Sequence, residues 1–397
     1  MTRATMDHAT STPVLAADRA GDAPPPVDPF AALTDMGIHD DVCRLIQGDT
    51  LDDGAMATIL QDAAWGGVTA SDFDSLRALG GMLNAPGGIQ TSDYVCAISR
   101  SLIDGDPANA HWTGGGVATD LGDLHAGSSE VQADRLIDKW FHGTDEPSLS
   151  GLADAGRYRP EDKPLFHDGG PAYTDVNQGS LGDCYLLSSL AEVALRDPDT
   201  IRSMFTDNHN GTYGVRFFDH DGQADYVTVD DRVPMRGDQW ANGAHETFAN
   251  GDVSWVALAE KAYAELNGAG GVPDGGETRP SGDAYHLIEG GYADPISEIT
   301  GKPVARCSPD LHEAVSALLH GQEVLMSTPE SVHMPDLVKG HMFEVLGYDT
   351  RSERFEIHNP WGAAYGGHDK AMTFSASASD LIHEGVHMYA ASGTALA

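Results

Sequence analysis

The chain has 397 residues, 41% of them hydrophobic, and a formal net charge of −38 from 61 acidic against 23 basic residues. That is enough chain and apolar content for two domains with real cores. The charge argues against nucleic acid as a partner, because phosphates would be repelled over most of the surface. A basic or neutral protein partner fits better, although simple solubility or a salty or acidic habitat also accounts for the acidity.

Cysteines stand at positions 43, 96, 184 and 307, which makes neither a disulfide framework nor a Cys-x-x-Cys metal site, so reduced thiols are expected. The first thirty residues lack the basic and apolar regions of a signal peptide, and no stretch approaches the length of a membrane span. The expectation is a cytoplasmic protein with no membrane partner, export without a cleaved signal being the alternative.

Residues 1–28 are rich in Ala, Thr, Asp and Pro, with no apolar period, and are expected to be a disordered tail. Over 29–145 the pattern turns helical in short pieces, Leu51 to Ala64, Ser71 to Asn84, Ser92 to Ile103 and Ser128 to His142, the last three starting at a serine of cap type. This predicts a small all-α domain. Trp112-Thr113-Gly114-Gly115-Gly116 lacks the Gly-Lys-Ser/Thr ending of a phosphate loop and is expected to be a turn. Residues 146–164 are polar with prolines and glycines, which suits a linker to a second unit at 165–397.

In that unit, Gln178-Gly-Ser-Leu-Gly-Asp-Cys184 runs into an apolar stripe at Leu187, Leu190, Val193 and Ala194. The spacing predicts a helix capped by Asp183, with Cys184 in its first turn. Unpaired N–H groups and the helix dipole would there favour a nucleophilic thiolate. The Gln178 carboxamide and the Cys184 N–H would complete an oxyanion hole. A cysteine at the head of a Leu-rich helix is, however, as a rule a small buried hydrophobe. A base elsewhere in the chain has to decide.

Downstream, 213–218 and 226–230 alternate as a hairpin, Ser254 heads an amphipathic helix ending at Asn267-Gly268, Leu311 to Leu319 is helical, and Glu323 to Ser327 is a strand. Then 341–348 and 354–359 alternate as a second hairpin. If it is centred on position 350, facing residues sum to 700, which sets His341 opposite Asn359. Facing side chains in a ladder come within about 4.5–5.5 Å at Cβ. A carboxamide oxygen accepting one ring N–H would fix the tautomer of His341 and present its other nitrogen to a thiol. His358 would point to the other sheet face, as a surface or structural residue.

Gln178–Cys184, Gly340-His341 and Asn359-Pro-Trp-Gly362 resemble, in order, the catalytic blocks of the calpain family of cysteine proteases. Val229-Asp-Asp-Arg-Val-Pro234, Trp255 and Ala257–Tyr263 are similar to further family stretches, so the resemblance covers roughly 165 to 392. It implies an α+β, papain-like two-lobed core, a helical half with Cys184 and a β-rich half with His341 and Asn359, that cleaves protein substrates through a thioester. Cys184 would be nucleophile, His341 base and then acid, Asn359 its orienter, Gln178 part of the oxyanion hole, and Trp361 a shield over the His–Asn bond.

Some positions depart from the family. Tyr185 stands where it usually has tryptophan, and no EF-hand loop is found. Asp175 matches an acid that binds calcium in the family, but Val253-Ser254 stand where a second acidic ligand is expected. A calcium-independent enzyme with no cofactor is therefore expected. His383-Glu-Gly-Val-His387 fits the zinc pattern HExxH, but its mechanism needs a continuous helix and a third ligand further on, and 386–391 alternates like a strand. The remaining alternatives are a catalytically silent binding module and a transglutaminase-type acyl transferase, whose histidine is typically oriented by Asp.

Overall fold

A computed structural model describes residues 28–152, 157–161, 163–179, 181–236, 239–240, 253–269, 273–274, 277–278, 282–362 and 370–393; the tail expected over 1–28 lies, but for its last residue, outside them. The N-terminal unit holds α1 (Met36–Leu45), α2 (Asp53–Ala64), α3 (Ala70–Met82), α4 (Asp93–Asp104) and α5 (Glu130–Ile137), around a core that includes Val42, Met56, Leu79, Ile98 and Phe141. Each helix starts where a side chain satisfies its first free N–H groups. Two of the three serine caps expected from sequence shift. Thr69, not Ser71, caps α3, because Thr69 and Asp72 bond each other's backbone reciprocally. Ser129, not Ser128, caps α5, while Ser92 caps α4 as expected. The glycine stretch after Trp112 turns between two short strands, β1 (His111–Trp112) and β2 (Thr119–Asp120).

The stretch read as linker is built into the fold. Glu146 and Ser148 are buried, as is Asp145 just before them, and β3 (Arg157–Pro160) pairs with a later strand. Local polarity misleads there because the acids find partners: Asp145 pairs with Lys139 and accepts the Thr113 and Gly114 N–H groups, and Glu146 pairs with Arg232.

The first lobe contains α6 (Cys184–Arg196), α7 (Pro198–Met204), an antiparallel sheet of β4 (Phe205–Asp207), β5 (Thr212–Phe218) and β6 (Ala224–Asp230), and a second sheet in which β7 (Arg232–Arg236) joins β3 to β8 (Gln239–Trp240). Next come α8 (Trp255–Leu266), the short pair β9 (Pro273–Asp274) and β10 (Glu277–Thr278), and α9 (Pro295–Thr300). From Trp255 to Ala264, α8 is buried on every side, so it is a central helix rather than the amphipathic one expected. Its Lys261, fully buried, pairs with Asp230 and donates to Arg232 O at 3.0 Å. The N-terminal unit docks on β5 and β6: the Tyr94 hydroxyl bonds Thr228 Oγ1 at 2.8 Å, and the ring lies so close over Gly214 that an added Cβ would stand 2.5 Å from it.

The second lobe is one antiparallel sheet in the order β11-β16-β12-β13-β14-β15. Its strands are β11 (Val304–Arg306), β12 (Val324–Ser327), β13 (Met342–Asp349), β14 (Arg354–His358), β15 (Thr373–Ser377) and β16 (His387–Ala391), with α10 (His312–Leu319) and α11 (Ala378–Glu384) packed on it. Its core includes Leu318, Phe343, Phe355, Ile357 and Leu381, and is distinct from the first lobe's core around Leu187, Trp255 and Ile296. The HExxH stretch breaks in the middle: α11 stops before Gly385, whose φ of +74° is a left-handed helix end, and His387 begins β16. Glu384 is used by the His333 and Met334 N–H groups instead.

Candidate active site

Cys184 is the first residue of α6, half-buried where the two lobes meet. Asp183 occupies the cap position, but its side chain makes no cap bond; its carbonyl accepts the Leu186 and Leu187 N–H groups. The carboxyl is fully buried and pushed up to about 7, first by burial, with hydrogen bonds from Glu260 and Gln178 opposing. The thiolate expected from the helix terminus is overridden too. Burial pushes the Cys184 thiol up to about 11, the Asp183 charge acts in the same direction, and the Met342 N–H beside the sulfur only partly offsets them. Desolvation exceeds the terminus effect because half a unit charge, partly shared with neighbours, cannot replace lost water around a thiolate.

Across the lobe junction, His341 is 7% exposed and Asn359 is fully buried. Asn359 Oδ1 lies 2.9 Å from His341 Nε2 and also accepts the Trp361 N–H at 3.2 Å. The Trp361 N–H requires an acceptor and so identifies this atom as the oxygen; Nε2, facing an oxygen, then carries the proton and Nδ1 is left as the basic nitrogen. The Trp361 ring packs against the imidazole with centroids 5.3 Å apart. Burial pulls His341 down to about 4, the Asn359 bond opposing, and the ring is neutral at ordinary pH.

The two residues meet, but not by the register expected. Near the turn Asp349 faces Arg354, and beyond a bulge between Val345 and Gly347 Glu344 faces His358, so facing residues sum to 703 and then 702 rather than 700. His341 stands just before β13 and Asn359 just after β14, and their side chains converge beyond the end of the ladder. His358 is not a surface residue: it is buried, its Nδ1 lies 3.5 Å from Glu344 Oε1, and its ring meets Tyr173 edge-on.

The loop before Cys184 is tied to the Asn359 block. Gln178 N–H donates to Pro360 O at 2.8 Å. Gly362, at φ +63°, lies so close to the Asn177 carboxamide that any Cβ would overlap it, so glycine is needed there twice over. The Gln178 side chain does not point an N–H at a free oxyanion position: Nε2 donates to Leu181 O at 2.7 Å and approaches Asp183 Oδ1 at 3.4 Å. Among the described residues no hydrogen bond joins the Cys184 sulfur to His341; the sulfur lies by the next residue's N–H. Asp175, matched above to a calcium ligand, accepts Trp255 Nε1–H and the Ala172 N–H, both at 2.9 Å. Among the described residues no three His, Cys, Asp or Glu side chains are grouped to hold a metal ion.

Sequence reasoning passed over Ser188, Glu192, Arg196 and Glu344, which line the contact between α6 and the second lobe. The signal was present as polar residues four apart along an otherwise apolar helix.

A thiol heading a buried helix in one lobe, with a histidine bonded to an asparagine at the ends of two central strands of the other, is the arrangement of the two-lobed class of cysteine peptidases. Residues 156–370, more than half of the chain, match the family model described as calpain family cysteine protease. The chain belongs to the calpain family of cysteine proteases. It is 30% identical over 248 residues to the calpain-2 catalytic subunit of Bos taurus, covering 54% of this chain and 34% of that one. It is 31% identical over 218 residues to the calpain-2 catalytic subunit of Gallus gallus (50% and 29%), and 30% identical over 246 residues to calpain-8 of Homo sapiens (54% and 33%). The chain thus spans about a third of the length of the curated relatives it matches.

Proposed function

We propose that this cysteine protease is an endopeptidase acting on protein substrates through Cys184, His341 and Asn359. The observation that carries the reading is the 2.9 Å bond between Asn359 Oδ1 and His341 Nε2 beneath Trp361, since it leaves a neutral imidazole with Nδ1 as the free base. With the thiol held protonated by burial, the Cys184 proton passes to Nδ1 as the sulfur attacks the substrate carbonyl. The oxyanion is held by the Cys184 N–H and by the Gln178 carboxamide, which turns from Leu181 O to reach it. Collapse expels the amine, which takes the proton from His341 and leaves a thioester; water activated by the same imidazole then releases the acid. Asn359 in place of Asp favours hydrolysis over the transglutaminase-type alternative.

The reaction is calcium-independent in this reading, because Val253-Ser254 stand where a second acidic ligand would join Asp175. Protein substrates, no nucleic-acid partner and a cytoplasmic location complete it. The test compares wild type with Cys184→Ala on a denatured protein mixture under reducing conditions in EGTA, cleavage being read by mass spectrometry. Cleavage by wild type alone supports thiol chemistry without calcium. Equal cleavage by both removes Cys184 from the mechanism, rescue by calcium overturns the calcium independence, and inactivity of both with calcium added favours a silent binding module.

A further inference from the structure

The nucleophile helix meets the base-bearing sheet along one polar row. Side chains four apart stack on one helix face, and Cys184, Ser188, Glu192 and Arg196 make such a row on α6. A polar group on a buried helix face costs free energy unless it finds a partner, and each of these finds one across the junction between the lobes. Ser188 Oγ donates to Met342 O at 3.1 Å, next to His341. Glu192 Oε1 accepts the Val324 N–H of β12 at 3.1 Å and Arg196 Nε–H at 2.9 Å. Arg196 Nη2 donates to Val345 O at 2.8 Å and Leu346 O at 2.9 Å. Those two carbonyls belong to the bulge where β13 slips its pairing with β14. A bulge leaves backbone groups without ladder partners and bends the strand. One planar guanidinium here satisfies both carbonyls while a second edge grips Glu192, a combination that an ammonium cannot reproduce from the same position.

Resting on the reading of Cys184 and His341 given above, we propose that Arg196, held by Glu192, is a positioning residue: it seats the β13 bulge against α6 and so sets how His341 meets Cys184. Arg196 and Cys184 are twelve residues apart, roughly 18 Å along the helix axis. The helix is a rigid arm with Ser188–Met342 as the contact nearest the thiol. When the far contact is lost, β13 can tilt on that near contact, and the His341 ring moves with it. A displacement of about 1 Å between reacting groups is enough to cost on the order of a hundredfold in rate.

The experiment compares Arg196→Lys, the double variant Glu192→Gln/Arg196→Met, and Cys184→Ala with wild type. It measures kcat and KM on one denatured protein substrate, normalised to the Cys184 thiol titrated by iodoacetamide and quantified by mass spectrometry of its peptide, together with the thermal midpoint. The double variant removes both halves of the buried pair rather than stranding one, and so keeps the test open should a single charge deletion fail to fold. Arg196→Lys is expected to lower kcat per titrated thiol roughly 10- to 100-fold with KM within about threefold of wild type, and the double variant to lower it as much. A purely structural role would lower the thermal midpoint and the titratable fraction, leaving kcat per titrated thiol unchanged; that result in both variants overturns the proposal. Cleavage by Cys184→Ala would remove the underlying assignment as well, whereas an inactive Cys184→Ala with wild-type kcat in the Arg196 variants removes the positioning role alone.

Discussion

Replacing Asn359 by alanine isolates the contact on which the catalytic reading rests. The substitution deletes the atom that accepts His341 Nε2–H at 2.9 Å and Trp361 N–H at 3.2 Å. Asn359 is fully buried and His341 only 7% exposed, so water does not readily take over the acceptor's place. A buried N–H left unpaired costs about 1–3 kcal/mol, which corresponds to roughly 5- to 150-fold in rate if the orienting bond is kept in the transition state. If Asn359 orients the base rather than binding substrate, the loss belongs in kcat. Asn359→Asp is the companion variant. A carboxylate at this place favours the imidazolium, raising His341 from its present value of about 4, so the base becomes protonated at a higher pH and the acid limb of kcat/KM moves upward. Both are read as pH profiles of kcat/KM per titrated Cys184. An alanine variant within about twofold of wild type, together with an aspartate variant whose acid limb has not moved, would refute the role given to Asn359.

Three further outcomes follow from packing and charge. Burial holds Asp183 up to about 7 and Glu192 up to about 8, while Glu344 raises His358; the folded state therefore keeps protons that the unfolded chain releases. For the two acids this stability is fully present below about pH 4 and is lost as pH rises through 7 to 8; for His358 it is lost above its ordinary range. His341 has the opposite sign, its pull to about 4 costing stability as pH falls below 6.5. Calorimetry at about pH 6.5 and 8.5 avoids that window, and the thermal midpoint is expected to be lower at the higher pH; a higher midpoint there would contradict the burial argument. Lys261→Met strands the Asp230 carboxylate and is expected to cost about 3–5 kcal/mol in urea denaturation, most of it recovered in Lys261→Met/Asp230→Asn; equal loss in both would mean the charge pair is not the cause. Gly214→Ala puts a methyl 2.5 Å from the Tyr94 ring and is expected to cost about 1–3 kcal/mol and to expose the junction between the N-terminal helices and β5 to limited proteolysis, an unchanged digestion pattern counting against that docking.

The local code of the chain determined much of this protein. Spacing alone placed the helix after Cys184, the hairpin read at 213–218 and 226–230 and the strands on either side of position 350, because apolar periodicity and turn residues act over a few neighbours. It also named the cysteine, histidine and asparagine blocks whose order points to the calpain family. Only the tertiary structure decided what those residues experience. The turn set the pairing three residues off the expected register and the bulge at Val345–Gly347 took back one, yet His341 and Asn359 still meet because both lie beyond the ladder's end. The helix terminus that should make Cys184 a thiolate is outweighed by burial, a quantity set by packing from distant segments. Polar residues that read as linker at 146–148, or went unnoticed at 188 and 192, prove to be buried because partners arrive from far along the chain. Helix and strand propensity are short-range, whereas desolvation and hydrogen-bond satisfaction depend on which surfaces the fold closes against each other.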